Sequence, residues 1–583
     1  HTLRLENVVG PLSGIIRRLD SVVYELNTIY RKIVMITGVI PDGNRDYRLE
    51  KVIPEMTSIF EEQSRALHEL CDQMLSLYGQ KTADYALLQK VAVQLDSFLE
   101  DTNTVAKRLD SFRTNISNLA AWTQSVCEQP LLLDSISFLP QDAEAPKANA
   151  SFFRQLWHNI LSFFYSFWGD YNYVAGENGT ERKVTVWMGA VSNVGLGRDQ
   201  AQIIKNLTDN SFTPQEGIGV DLRLVDMSIL LPAVAAGKGP DVALGQGQNV
   251  PVNYALRGAV RDLSDFEGID EVLERFTASA VTPFRFGEGV FALPEKLSFS
   301  MMFYRKDVLA ELGIEVPQTW TELYEVIPQL QKNNLDIGLP NISDQDNLDL
   351  FYMKLYQTGG QVYNDDLTAT ALGTDTAIAA FTSWTDLYTK YKAPKKVDFL
   401  TRFRTGETPL FIGDLSYFNQ ISALAPEIRG LWDFSLVPGT PTAEGGVNHQ
   451  TATTVTGCII LKNAQDPEAA WRVIEWWTRA QTQSDYAREL ENLQGTSGRW
   501  MTANQEAFES LAWTTDELEK ITRQRDFSVG IPEAPGSYMV TRYIATSVRL
   551  VINNNAPVRD TLLNWNEKIN KEITLKRKEF DLE

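Results

Sequence analysis

Along the first part of the chain, apolar positions return every three to four residues. Ile15 and Ile16, Leu19, Val22 and Val23, Leu26, Ile29 and Tyr30, and Ile33 draw one stripe on a helix. Gly38 stops it, and Pro41-Asp42-Gly43 makes the turn. Met56, Phe60, Leu67, Leu70, Met74 and Leu77 draw a second stripe, closed by Gly79. Leu87, Leu88, Val91, Leu95, Phe98 and Leu99 draw a third, and Val105, Leu109, Phe112, Ile116 and Leu119 a fourth. Four amphipathic helices with short connections predict an up-and-down bundle. HTLRLE (1–6) and LLLDSISFLP (131–140) alternate as strands do, and residues 141–150 read as a polar linker. The aromatic run 151–170 reads as a short helix packed on a neighbouring domain, since only Arg154 would serve a membrane-facing polar side.

From Lys183 the texture changes. VTVWMG predicts a strand, residues 199–210 a helix with Ile203, Ile204 and Leu207 inside, and VDLRLV a second strand. Ser228–Ala236 predicts a helix and GPDVALG a third strand. Strands alternating with helices at this spacing give right-handed βαβ units and a parallel sheet. Ligands of such sheets sit beyond the carboxyl ends of the strands. Three loops are singled out: Gly189–Gly197, Gly245–Asn249, and the run after Ala292-Leu293-Pro294.

Composition then narrows the function. A chain of 583 residues suits about three to five domains, and 43% hydrophobic with 22% charged residues excludes wholesale disorder. Aromatic residues make up 10% of the chain, more ring surface than a plain core needs, which favours a ligand groove. A formal charge of −21 argues against a nucleic-acid partner. Cys71, Cys127 and Cys458 are too few for a disulfide framework, and Cys458 in GCIIL reads as a small buried hydrophobe. No window reaches the ~20 apolar residues of a bilayer span. No signal peptide opens the chain, so His1 reads as the start of a fragment or a processed form.

Little in the sequence suits catalysis. GQGQNV (245–250) imitates a dinucleotide fingerprint but has Val250 where the third glycine belongs. His1, His68, His158 and His449 are the whole histidine supply, too thin for a Ser-His-Asp or zinc-hydrolase mechanism. His68 and Cys71 share a helix face, but two ligands make no metal site. The sequence thus implies no cofactor and no metal. Carboxylates are abundant, 75 in all, so a two-carboxylate glycosidase stays open by count although no spacing singles out an acid/base pair.

The order of motifs after Lys183 resembles extracellular solute-binding protein family 1, the maltodextrin-binding-like receptors of bacterial ABC sugar importers. VTVWMG opens the domain and GPDVALG stands as its third strand. FGEGVFALPEKLSFSMMFYRKDVLAELGIEVPQTWTEL follows, then LYQTGGQVYNDD, AIAAFTSWTDLYTKY, RFRTGETPLFIGDLSYF, GCIILKNAQDPEAAWRVIEWWT and EAPGSYMVTRYI. The resemblance implies an α/β two-lobe periplasmic-binding-protein-like fold with crossing segments, preceded by an α-helical bundle with a few flanking strands. It implies a helical module over 1–140, a linker and aromatic helix over 141–181, and a two-lobe binding domain over 182–583. One lobe would hold about 182–295 and 450–485, the other about 300–445 and 490–583. The flanking strands look like a remnant of an interrupted carbohydrate-binding jelly roll, as in long Gram-positive receptors of this kind.

By the same resemblance the protein is an extracellular oligosaccharide receptor that closes about a hinge. Its implied partner is an ABC permease, with a membrane tether in a segment outside this chain. A carbohydrate-active enzyme, a receptor for a peptide or other non-sugar solute, and a scaffold remain alternatives.

Sugars offer hydroxyl rims and apolar faces, so planar polar groups and flat rings are the candidate contacts. The loops supply Asn193, Gln246, Gln248 and Asn249, whose other reading is turn formation and helix capping. Glu295 at the crossing could accept two hydroxyls. Asp414 and Tyr417 lie in GDLSYF, where similar receptors often carry an aromatic ring and this chain has Leu415. Arg499 and Trp500 follow a glycine-rich loop. Ser537 and Tyr538 align with the last aromatic contact of such receptors, and Arg542 lies one turn beyond. Asn448 and His449 are lesser candidates. Trp320, Trp384, Trp471, Trp476 and Trp477 stand at helical or capping spacings and read as core.

Overall fold

A computed structural model describes residues 12–127, 151–165, 181–189, 197–342 and 347–582. The expected strands at 1–6 and 131–140, and with them the jelly-roll remnant, lie outside the described residues, as do the linker 141–150 and most of the 189–197 loop.

The four stripes form four helices: α1 (Leu12–Thr37), α2 (Met56–Tyr78), α3 (Ala83–Glu100) and α4 (Leu109–Cys127). Gly79, at φ 66°, ends α2 in the left-handed conformation that glycine adopts without strain. The Thr82 hydroxyl accepts the Tyr85 N–H and starts α3. Inside, the rings of Tyr30, Phe60, Phe98 and Phe112 meet at centroid distances of 5.5–6.4 Å. Each ring is fully buried, a burial that contributes about 1.5–3 kcal/mol apiece.

The helix α5 (Phe152–Tyr165) departs from expectation. Phe153, Trp157, Phe163 and Phe164 are exposed, so among the described residues no neighbouring domain covers it.

The rest is α/β. Its elements are β1 (Arg182–Gly189), α6 (Arg198–Leu207), β2 (Ile218–Val225), β3 (Val242–Gly247), β4 (Leu293–Arg305), β5 (Ile337–Gly338), α7 (Asp349–Gln357) and α8 (Phe399–Thr405). They continue with β6 (Leu410–Asp414), α9 (Ser416–Leu424), β7 (Trp432–Ser435), β8 (Thr451–Ile460), α10 (Pro467–Trp477), α11 (Ala480–Gln494), β9 (Ser528–Val529), α12 (Ser537–Asn554) and α13 (Val558–Glu579). The segment expected as one helix at 228–236 splits into a 3₁₀ turn, Met227–Ile229, and a short helix, Leu230–Ala235, with Pro232 inside it.

The strand order is β2-β1-β3-β8-β4-β6-β5, with β9 on β8 and β7 on β4. β1 pairs in parallel with β2 and β3, as the βαβ reading requires. β8 runs antiparallel to β3 and β4 and parallel to β9, and β4 runs antiparallel to β6 and β7, so the sheet is mixed rather than parallel throughout. The long β4 makes the link between two halves. Its residues 293–299 pair with β8, and residues 300–305 pair with β6 and β7.

Two cores lie on this frame. Val184, Leu222, Ile459, Trp471 and Trp477 anchor one, which continues onto one face of the second half through Phe303, Phe411 and Phe434. Met302, Phe351, Trp384 and Ile544 anchor the other. All five tryptophans read as core are buried.

The bundle docks on the second half. The buried Arg31 guanidinium donates to Glu311 at 2.9 Å, and the Asn334 side-chain amide donates to the Met35 carbonyl at 2.8 Å. Tyr30 hydrogen-bonds Glu407, a buried carboxylate that also takes Arg402 at 3.0 Å. Replacing Arg31 with alanine therefore removes a charge-assisted bond at the seam. We expect Arg31→Ala to lower unfolding free energy by about 1.5–3 kcal/mol in urea titrations. An unchanged midpoint would mean the bundle is not held through this seam.

Candidate functional site

Where β3 and β8 face the second half, a cavity of about 380 Å³ opens. Gln248, in the turn after β3, and Thr454 on β8 line one side. Asn347, Asp349, Tyr352 and Tyr363 line the other, with Glu533, Ser537 and Thr541. Local rules place each group. The Asn347 side-chain oxygen accepts the Asp349 N–H at 3.0 Å and its amide donates to the Asp349 carboxylate at 3.2 Å, fixing the start of α7. An acid in that first helical turn is favoured by the unpaired N–H groups there.

Gly530 leads to the other acid. A Cβ there would come within 2.3 Å of the Ser279 carbonyl oxygen, so only glycine lets the chain run this close before 531–533 reach the cavity. Gly536, at φ 85°, then turns the chain into α12, whose Ser537 hydroxyl donates to Glu533. Gln248 accepts the Val455 N–H at 3.2 Å through its side-chain oxygen, and its NH₂ group has no protein partner among the described residues.

Burial pushes the Asp349 carboxyl up to about 6, against the Asn347 bond and with help from the nearby Asp414 charge. Burial likewise lifts Glu533 to about 7, opposed by the Ser537 bond. Tyr352 and Tyr363 are held neutral, also by burial. Among the described residues no three acidic, histidine or cysteine groups converge to hold a metal ion.

A second cavity, of about 250 Å³, involves Gly245, Glu295, Lys296, Thr456, Ser416, Asn419, Arg499 and Trp500. Asp414 lies between the two, since its charge acts on both Lys296 and Asp349. Here the charged groups are engaged by the protein itself, while the Asn419 side-chain oxygen is buried without a partner among the described residues. Glu295 accepts the Gly245 N–H and the Trp477 indole N–H, each at 2.5 Å. Arg499 pairs with Glu491 at 2.6 Å and stacks over Trp513 at 4.6 Å. The buried Trp500 donates to Gln483 at 2.8 Å, and the Lys296 ammonium lies 5.1 Å from its ring centre. Burial lowers Lys296, while Asp414 and Glu295 oppose that.

The structure sorts the expected contacts. Gln248 and Ser537 line the larger cavity, while Glu295, Arg499 and Trp500 line the smaller one as structural groups. Five others need correction. Gln246 is buried in β3 and donates to the Leu244 carbonyl at 2.8 Å, because strand alternation turns it away from the groove. Asn249 is exposed at the start of a short helix, Val250–Leu256, and lines neither cavity. Tyr417 packs edge-on against Phe399 and Phe411 at 5.3 and 5.2 Å, completing an aromatic core rather than a platform. Tyr538 is 42% exposed and donates to Glu572 at 3.3 Å, and Arg542 is exposed on the same side of α12. The cavity takes 537, 540 and 541, the neighbouring helix face.

Asp414 holds the Ser416 N–H at 2.9 Å, starting α9, and Leu415 is buried. Asn448 donates to the Tyr356 and Gln357 carbonyls, and His449 is buried against the Val437 carbonyl, so neither lines a cavity. Asn193 lies outside the described residues. Sequence reasoning missed Asn347, Asp349, Tyr352, Tyr363, Thr454, Glu533 and Thr541. The one usable signal was Glu533, an acid inside the apolar, proline-rich run IPEAPG.

Comparison with known proteins agrees with this geometry. Residues 215–484 match the model of the bacterial extracellular solute-binding protein family. Residues 14–125 match the four-helix-bundle domain of bacterial solute-binding proteins. A binding protein of Brucella abortus (strain 2308) is 24% identical over 277 residues, 45% of this chain. The chain spans 64% of the length of that relative.

Among solved structures, the sugar-binding protein MalE of Xanthomonas citri aligns with a TM-score of 0.58 at 16% identity, over 69% of this chain and 100% of its own. A solute-binding protein of Thermotoga lettingae bound to α-D-tagatose gives 0.52 at 20% identity, over 67% and 100%. The maltose-binding protein MalE of Listeria monocytogenes in complex with maltose gives 0.54 at 15% identity, over 68% and 99%. These similarities establish the shared fold.

Glu295 generates a pH signature. Burial raises it to about 7 from an ordinary value of 4.5, so the folded chain binds this proton more tightly than the unfolded one. Its contribution is fully present below about 4.5 and is lost as pH rises towards 7. Asp349 and Glu533 act in the same direction. We expect stability to fall from pH 5 to pH 8, with Glu295→Gln removing up to about 3 kcal/mol of that slope. An identical slope in the variant would place the titration elsewhere.

Proposed function

We propose, from a chain that carries a bacterial extracellular solute-binding protein domain behind the four-helix bundle of such proteins, that it is an oligosaccharide receptor. It takes its guest unaltered and passes it to an ABC import permease at the outer face of the cell membrane, where it is tethered. The observation that carries the reading is the cavity between the halves, supplied from one side by Gln248 and Thr454 and from the other by Asn347, Asp349, Ser537 and Thr541. Amides, hydroxyls and carboxyls beside tyrosine rings are the groups that recognise a hydroxyl-rich ring compound. Solved proteins of the same fold hold tagatose and maltose.

In this reading the lobes are about 182–295 with 450–485, and about 300–445 with 490–583. A guest that touches both has more contacts when they close, so it shifts the population to the closed form. The permease then distinguishes loaded from empty receptor by shape.

One observation favours a second reading, hydrolysis by paired carboxyls: Asp349 and Glu533 share the cavity. A glycosidase divides labour between an ionised and a protonated carboxyl. Here both are raised by burial, to about 6 and about 7, and no basic group among the described residues of the cavity wall keeps either ionised. Binding without turnover is the better fit.

An oligosaccharide panel tests this by thermal shift and intrinsic fluorescence. A true guest at a hundredfold excess over its dissociation constant adds about 2.7 kcal/mol of stability. Gln248→Ala should weaken that guest about tenfold; it also frees the Val455 N–H, so the unliganded melting temperature falls and affinities are compared well below it. Shifts with peptides or amino acids alone would overturn the substrate class, and new reducing ends would favour the enzyme.

A further inference from the structure

The charge balance of the cavity narrows the guest further, resting on the receptor reading just given. Asp349 and Glu533 line it, and among the described residues its wall contains no lysine, arginine or histidine. Glu533 is about nine-tenths buried and takes one hydrogen bond, from Ser537, so its second oxygen has no partner among the described residues. Asp349 takes its side-chain bond from the neutral Asn347 amide. The other titratable groups that face them add no positive charge. Tyr352 and Tyr363 feel the Glu533 charge as neutral phenols, and Asp414 adds a third negative charge beside Asp349. The starts of α7 and α12 offer partial positive charge, about half a unit each, which does not replace a counter-ion.

Buried carboxylates are stable when paired and costly when not. An empty cavity can escape that cost by protonating them, and burial has brought both within reach of neutral pH. A wholly neutral polyol would donate hydroxyl bonds but leave the charge uncompensated. An ammonium group brings both a full charge and up to three donors. We propose that the guest of this cleft is an amino-substituted oligosaccharide whose protonated amine is held between Asp349 and Glu533.

Calorimetry on the full chain near neutral pH tests this with three probes: a chitosan oligosaccharide with free amines, its fully N-acetylated counterpart of equal length, and spermidine. The free-amine saccharide should bind about tenfold or more tighter than the acetylated one. Glu533→Gln and Asp349→Asn should each shrink that ratio towards one, while Glu533→Asp keeps it. The variants also separate a specific site from general attraction to an acidic surface, and melting curves confirm that they fold.

Equal or tighter binding of the acetylated saccharide would overturn the inference and leave the saccharide receptor standing. Binding of spermidine alone would overturn both. A ratio untouched by either substitution would overturn the assignment to Asp349 and Glu533. Binding of none of the three would overturn the inference, and the wider panel would then decide the receptor reading.

Discussion

The single strand β4 joins the two halves of the molecule, and the candidate site exists because it does. Its first residues, Leu293–Phe299, belong to the ladder with β8, and its last, Ser300–Arg305, to the ladders with β6 and β7. Backbone N–H and C=O groups must be paired once buried, so a strand that serves two neighbours in succession ties two sheets together at a fixed register. β8 runs beside it, with a register shift between Thr456 and Gly457. Such irregularities bend a strand and loosen the flat continuity of a sheet. The two halves thus share the backbone of β4 and a core that runs on through Phe303 and Phe411, and the loops beside that seam face each other across the cavity.

The electrostatics of the two cavities differ in a way that separates architecture from recognition. In the smaller cavity every charge has a protein partner: Glu295 with Gly245 and Trp477, Arg499 with Glu491, Lys296 against the Trp500 ring. These bonds lock the crossing and the α11 region together. In the larger cavity Gln248, Asp349 and Glu533 keep unspent hydrogen-bonding capacity. Groups left under-paired inside a folded chain are costly, and a binding protein retains them where a guest will complete the set.

Much of the fold was legible because periodicity is a local signal. Apart from Leu77, which is exposed at the end of α2, and Val105, which sits on a separate helical turn, Thr104–Lys107, the bundle stripes became the inner faces of four helices, and VTVWMG, VDLRLV and GPDVALG became the parallel ladder around β1. The site was legible only in part. Gln248 and Ser537 were singled out and line the larger cavity, whereas Tyr538, next to Ser537, and Gln246, still inside β3 while Gln248 lies in the turn beyond it, turn elsewhere. In a strand or helix a neighbouring residue points in a different direction, and the register that decides it comes from distant partners such as Gly457 opposite Gln246. Asp349 and Glu533 escaped notice because they meet only in three dimensions, from separate loops. The strand-like flanks at 1–6 and 131–140 lie outside the described residues, and the exposed face of α5 ran against the packing expected of an aromatic helix.

The central claim is that the two halves approach each other when the cleft is filled. Spin labels at Gln202→Cys on α6 and Lys390→Cys on the second half, in a chain carrying Cys127→Ser, report it directly, since Cys71 and Cys458 are buried and both labelled positions are exposed. Pulsed dipolar spectroscopy should show a distance distribution that shifts and narrows on adding a saccharide that stabilises the protein. A distribution unchanged by a guest that demonstrably binds would contradict the account.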